Sequence, residues 1–100
     1  MATNNMVLLI GNIGNTPKYT EVNGKSLLTF SMATNEDIAE NKTLTTWHTI
    51  KCWGNYAKSI KNKLSKGQKV TVVGAIRSES WEKDGNKRYT TIIRPETVSF

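Results

Sequence analysis

Thr45 to Asn55 reads TTWHTIKCWGN, and its side chains sort by parity. Thr45, Trp47, Thr49, Lys51 and Trp53 take the odd positions, and Thr46, His48, Ile50 and Cys52 the even ones. Neighbouring side chains of an extended strand point to opposite faces, so a period of two marks a strand with two unlike sides. An unpaired lysine buried in such a sheet would cost several kcal/mol or lose its charge. The face with Lys51 is therefore expected to be wet and the face with Ile50 and Cys52 to be core. Both tryptophans then stand in water, where large aromatic rings need a reason to be.

The same sorting recurs downstream. In Gln68 to Trp81, Lys69, Thr71, Arg77 and Trp81 are odd, and Val70, Val72 and Ile76 are even and core-like. All three tryptophans of the chain thus lie on the basic side of alternating strands, or in line with it. A bulge could shift the register and turn Trp47 and Trp53 inward; two independent strands with one pattern argue against that.

The remaining segments fit around these two. Met6 to Ile13 is an apolar run of strand length closed by Gly14, Asn15 and Pro17, and Tyr19 to Val22 continues as an extended piece. Asn23 and Gly24 supply a tight hairpin turn into Lys25 to Thr34, with Leu28, Phe30 and Met32 on one face and Lys25, Thr29 and Ser31 on the other. Asn35 to Thr43 is polar, carries three acids and is expected to be an exposed loop before Leu44 to Trp53. After Gly54, Tyr56, Ala57, Ile60 and Leu64 recur at helical spacing, which predicts an amphipathic helix of about ten residues ended by Lys66 and Gly67. Asp84, Gly85 and Asn86 form a second hairpin turn before a last strand, Arg88 to Ser99.

Five strands with one helix between the third and fourth is the order of the all-β OB-fold, a Greek-key barrel that binds oligonucleotides or oligosaccharides. A chain of 100 residues is expected to form one such domain over residues 1–100.

Charge narrows the ligand. The net charge is +6, which favours a polyanion. Asn41 to Ser78 holds eight cations and no carboxylate. Exposed aromatics among Lys and Arg suit a single nucleic-acid strand: rings stack on unpaired bases for about 1–3 kcal/mol each, and cations neutralise phosphates. Trp47 and Trp53 are six residues apart, about 20 Å along a strand, so they are expected to engage different bases. Such stacking tolerates any base.

Other chemistries are disfavoured. His48 and Cys52 share a face but lie about 13 Å apart in a strand, too far to share a proton, so no catalytic dyad and no enzyme is expected. One His and one Cys cannot make a structural zinc site, and no metal or cofactor is expected. Cys52 is expected to be a small core side chain, and His48 an interior or subunit-interface histidine. GNIG at Gly11 to Gly14 has the glycine spacing of an RNA-binding KH loop but follows a strand, and is expected to be a turn. Tyr19 and Tyr89 are ambiguous between barrel rim and base contact. No signal-peptide pattern opens the chain and no apolar run reaches the length of a membrane span, so an intracellular, cytoplasmic protein with no membrane partner is expected.

The residues LIGNIGNTPKY, FSMATNE, TTWHTIKCWGN, LSKGQKVTVVGAIRSESW and GNKRYTT, in that order, resemble the bacterial single-stranded DNA-binding protein family (SSB). The resemblance covers residues 6–98. It implies an OB-fold that binds single-stranded DNA in replication, recombination and repair, and assembly as a homotetramer, with a dimer the simpler alternative. Carried over by position, Trp47, Trp53 and Trp81 match the stacking aromatics and His48 matches a histidine associated with tetramer assembly; Lys51, Arg77 and Lys69, on the basic faces of their strands, are the phosphate-neutralising candidates. Ile38 stands where many members carry a further stacking tryptophan, and Glu79 and Ser80 replace basic residues. The family's linker and acidic tail do not follow Phe100, so tail-mediated protein partners are not expected. The other readings are an RNA-directed or primosomal OB module and a structural adaptor whose tryptophans meet protein.

Overall fold

The computed structural model describes residues 4–100. Its elements are β1 (Val7–Ile13), β2 (Lys18–Val22), β3 (Lys25–Ala39), β4 (Lys42–Trp53), α1 (Asn55–Ile60), β5 (Lys69–Lys83) and β6 (Asn86–Ser99). β1 pairs antiparallel with β5, from Val7 opposite Gly74 to Asn12 opposite Lys69, and then with β3 through Asn12–Ala33 and Ile13–Met32. β4 meets β6 in parallel at Ile50 and Ile93. These two junctions close β1, β5, β6, β4 and β3 into the five-stranded barrel expected of an OB-fold, with β2 hairpinned against β3.

Alternation supplies the core. Leu28, Phe30 and Met32 of β3, Ile50 and Cys52 of β4, Val70 and Val72 of β5 and Ile93 and Val98 of β6 point inward and pack with Ile13. Ala57 and Ile60 of α1 and the following Leu64 close one end of this cluster. Burying so many branched and aromatic side chains is the main force that closes the barrel. Among the described residues no helix is long and apolar enough to cross a membrane.

Three local expectations are corrected. Residues 35–43 are not a loop: β3 runs to Ala39 and β4 starts at Lys42, so the polar stretch is the far end of a hairpin. Its ladder carries side-chain hydrogen bonds, Thr45 Oγ1 to Asn35 Oδ1 at 2.6 Å and Thr43 Oγ1 to Asp37 Oδ1 at 3.2 Å, and Asn41 turns the chain at positive φ. Beyond the barrel neither face is buried, so no apolar alternation was there to be read. The helix is also shorter than ten residues. It spans Asn55–Ile60, has no side-chain cap, and passes into turns through which Leu64 still reaches the core. Finally, Ile76 is not core but 45% exposed. β1, which covers β5 as far as Gly74, ends at Val7. Past it the Asn5 side chain bonds the Ile76 backbone in place of a strand, donating to its carbonyl and accepting from its N–H.

Candidate nucleic-acid interface

β4 keeps an unbroken register with β3 from Thr43 to Trp53, so no bulge disturbs its parity. Ile50 and Cys52 are buried, and Trp47, Thr49, Lys51 and Trp53 are on the outer face. Trp47 is 62% exposed. Its ring lies against Gly14, where a Cβ would run into the indole. The loop that carries Gly14 is pinned to β3: Gly14 N–H donates to the Ser31 carbonyl at 2.9 Å, and Asn15 Oδ1 accepts from the Ser31 N–H and hydroxyl at 2.9 and 3.0 Å. The expected turn at GNIG is not formed: Gly11, Asn12 and Ile13 are strand residues of β1, paired with β5 and β3, and Gly14 just past the strand is a flat support under a water-facing indole.

Trp53 sits at the opposite end of β4, partly buried beside Leu27. Gly54 follows it with φ of 81°, a conformation open to glycine, and turns the chain into α1. Trp81 is 47% exposed and lies on the β5–β6 hairpin opposite Arg88. Arg77 is exposed on the same face of β5, opposite Ile92 of β6. Lys69 is exposed at the start of β5, paired with Asn12 of β1. It stands at the other end of that strand from Trp81.

Lys51 is not a free cation. Its Nζ meets Glu79 Oε1 of β5 at 2.6 Å, with both side chains about one-third exposed or less at 26% and 34%. In the unliganded protein its charge is therefore compensated.

Arg94 was not singled out from sequence. It lies on β6 opposite Ala75 of β5 and lines a pocket with Val22, Asn23, Lys25 and Trp53. The signal was masked by the adjacent pair Ile92–Ile93: both are buried, Ile93 in the barrel core and Ile92 on the face shared with Arg77. Two apolar neighbours conceal the phase of a strand.

The two ambiguous tyrosines separate. Tyr19 donates to Ser26 Oγ at 2.7 Å and is covered by the Lys61 ammonium 4.2 Å from its ring centroid, so it braces the β2–β3 hairpin. Tyr89 is exposed, but it pairs with Ser80 and so lies on the opposite side of the hairpin from Trp81. Cys52 is buried among apolar groups, which pushes its thiol above its ordinary pKa against a smaller lowering by Arg94. His48 Nε2 and Thr34 Oγ1 share a hydrogen bond of 3.0 Å. Among the described residues no group of three or more His, Cys, Asp and Glu could hold a metal ion.

Comparison with known proteins adds a match of residues 4–100 to the model of the single-strand binding protein family. The chain belongs to that family. Single-stranded DNA-binding protein 1 of Chlorobaculum tepidum is 36% identical over 96 residues, covering 89% of this chain and 59% of the relative. Its namesake in Xylella fastidiosa is 39% identical over 108 aligned positions, covering 100% of this chain and 79% of the relative. The chain thus spans about three fifths of the Chlorobaculum protein's length. Among solved structures, the Plasmodium falciparum SSB complex with ssDNA superposes with a TM-score of 0.81 at 31% identity, over 95% of this chain and 88% of that one. A deletion mutant of the Thermus aquaticus single-stranded DNA binding protein gives 0.82 at 27% identity, over 95% and 49%. Within this SSB family chain, Ile38 is exposed at the bulge in the β3–β4 hairpin, with no ring to offer a base.

Proposed function

We propose that this chain binds single-stranded DNA with little regard to sequence and shields it during replication, recombination or repair. The observation that carries the proposal is Trp47, whose indole lies open to water on a rigid glycine support while its strand neighbours Ile50 and Cys52 fill the core. Stacking on Trp47, Trp53 and Trp81 and phosphate neutralisation by Arg77, Lys69 and Lys51 together fit an unpaired strand, because a duplex hides the faces of its bases. The 0.81 TM-score with the Plasmodium falciparum SSB complex with ssDNA supports the same ligand. Titration with oligo-dT is expected to quench tryptophan emission, with much weaker binding to a duplex of equal length. Unchanged emission or equal affinity for duplex would overturn the stacking role.

The proposal is of a binding protein working in the cytoplasm as one OB-fold unit, not of an enzyme. Cys52 is buried with its thiol pushed up, which makes a poor nucleophile. We further propose assembly into a homotetramer. Leu8 and Ile10, 60% and 53% exposed, form an apolar row on the outer side of β1. They share a groove with Thr34, the partner of His48. A self-complementary apolar row is what a two-fold interface needs.

A further inference from the structure

A pocket of about 390 Å³ opens where β4 ends, lined by Val22, Asn23, Lys25, Trp53 and Arg94. That volume falls in the range of about 300–1,000 Å³ usual for small-ligand sites. Its walls come from three places in the chain. Val22 and Asn23 close the β2 end of a hairpin, Lys25 opens β3, and Arg94 reaches in from β6. The hairpin is tied to the turn after Trp53: Gly54 N–H donates to the Ser26 carbonyl at 2.9 Å, and Ser26 is held by the Tyr19 hydroxyl. Trp53 is itself in register with Leu27. The pocket is therefore framed by strands rather than by a loose loop, which is what fixed recognition requires.

Its chemistry is an aromatic ring with two cations. Lys25 and Arg94 line it, and no lining residue is acidic. Unlike Lys51, which Glu79 holds, neither makes an ion pair among the described residues. Arg offers a planar fork of donors suited to phosphate, and Lys a mobile point charge.

We propose that this pocket is a discrete subsite for one nucleotide of the single strand: its base stacks on Trp53, and Arg94 and Lys25 hold the adjoining phosphate. The subsite rests on the proposed single-strand binding and deepens it. Trp47 and Trp81 offer open platforms, whereas Trp53 sits at the mouth of a cationic pocket and anchors the strand at one position.

The test measures oligo-dT affinity against salt for the full chain and for Arg94→Ala, Lys25→Ala and the double variant, with thermal melts to confirm that each is folded. Each cation removed is expected to make the log–log salt slope shallower by about 0.7, the amount for one single-strand phosphate, and the double variant by about 1.4. Lys58→Ala, on α1, is the control and keeps the parent slope. A second readout uses a Trp47→Phe, Trp81→Phe chain in which Trp53 is the sole tryptophan. Oligo-dT quenches its emission, and Arg94→Ala lowers the affinity read from that quench. If the parent binds oligo-dT but both cation variants keep its affinity and slope, the subsite is overturned and single-strand binding stands. If the parent does not bind oligo-dT, the wider proposal has failed first. Should Arg94→Ala not fold, Arg94→Gln and Lys25→Gln carry the same comparison, each removing one charge while keeping a long polar side chain.

Discussion

At the scale of single residues, the side chains that matter are those whose water-facing position is enforced by their neighbours. Trp47 rests on Gly14 and Asn15 anchors that loop to Ser31, so its ring is presented rather than left to wander. Trp47→Ala is expected to lower oligo-dT affinity by about 1–3 kcal/mol with an unchanged melting temperature. A melt that collapses instead would return Trp47 to the core. Gly14→Ala leaves the tryptophan in place but puts a methyl group into its ring. It is expected to weaken binding without removing it, read by the same fluorescence titration. Glu79 works in the other direction, because it occupies Lys51. Glu79→Gln frees that ammonium, so affinity is expected to rise at low salt and the log–log slope to steepen by about 0.7. An unchanged slope would show that Lys51 does not reach a phosphate. That Trp47 and Lys51 face water was legible from parity; that Lys51 is already paired was not, since its partner lies 28 positions away on β5.

At the scale of elements, the same strands serve two purposes along their length. β5 and β6 are core strands near Val72, Ile93 and Val98 and become a fully exposed hairpin from Ser80 to Thr91. Amide exchange is expected to be fast in that distal hairpin and slow at Val70 and Val72, where the backbone is covered. Uniform protection along β5 would contradict this. The inner half is where stability resides: Ile50→Ala empties a fully buried site and is expected to cost about 2–5 kcal/mol in urea unfolding. Cys52 adds a dependence on pH. Burial raises its folded pKa, so the neutral thiol's contribution to stability is fully present below the unfolded pKa and is lost as pH rises through the folded one. Melting temperature is expected to fall on that alkaline limb, and less steeply in Cys52→Val. Hairpin ends and helix length were the least legible elements. Without a buried face, residues 35–43 show no alternation, and a six-residue helix followed by turns presents Ala57, Ile60 and Leu64 inward much as a longer helix would.

At the scale of the whole molecule, the net charge of +6 favours the approach of a polyanion. The proposed assembly uses the apolar row on the outer side of β1. Leu8→Glu with Ile10→Glu is expected to reduce the mass seen by light scattering toward that of one chain while the barrel stays folded, because both side chains already face out. An unchanged mass would place the interface elsewhere. By itself the sequence determined the order of strands and helix, the inward set of Leu28, Phe30, Ile50, Cys52, Val70 and Val72, and the outward stance of Trp47 and Trp53. A period of two carries all of this, because burial on one face imposes it on each strand separately. Only the tertiary structure decided that Arg94 and Lys25 meet Trp53, that Glu79 holds Lys51, that Ile76 is left in water and that Ile92 is covered. Those outcomes depend on which strands become neighbours when the barrel closes and on where β1 runs out, and alternation within one strand contains neither.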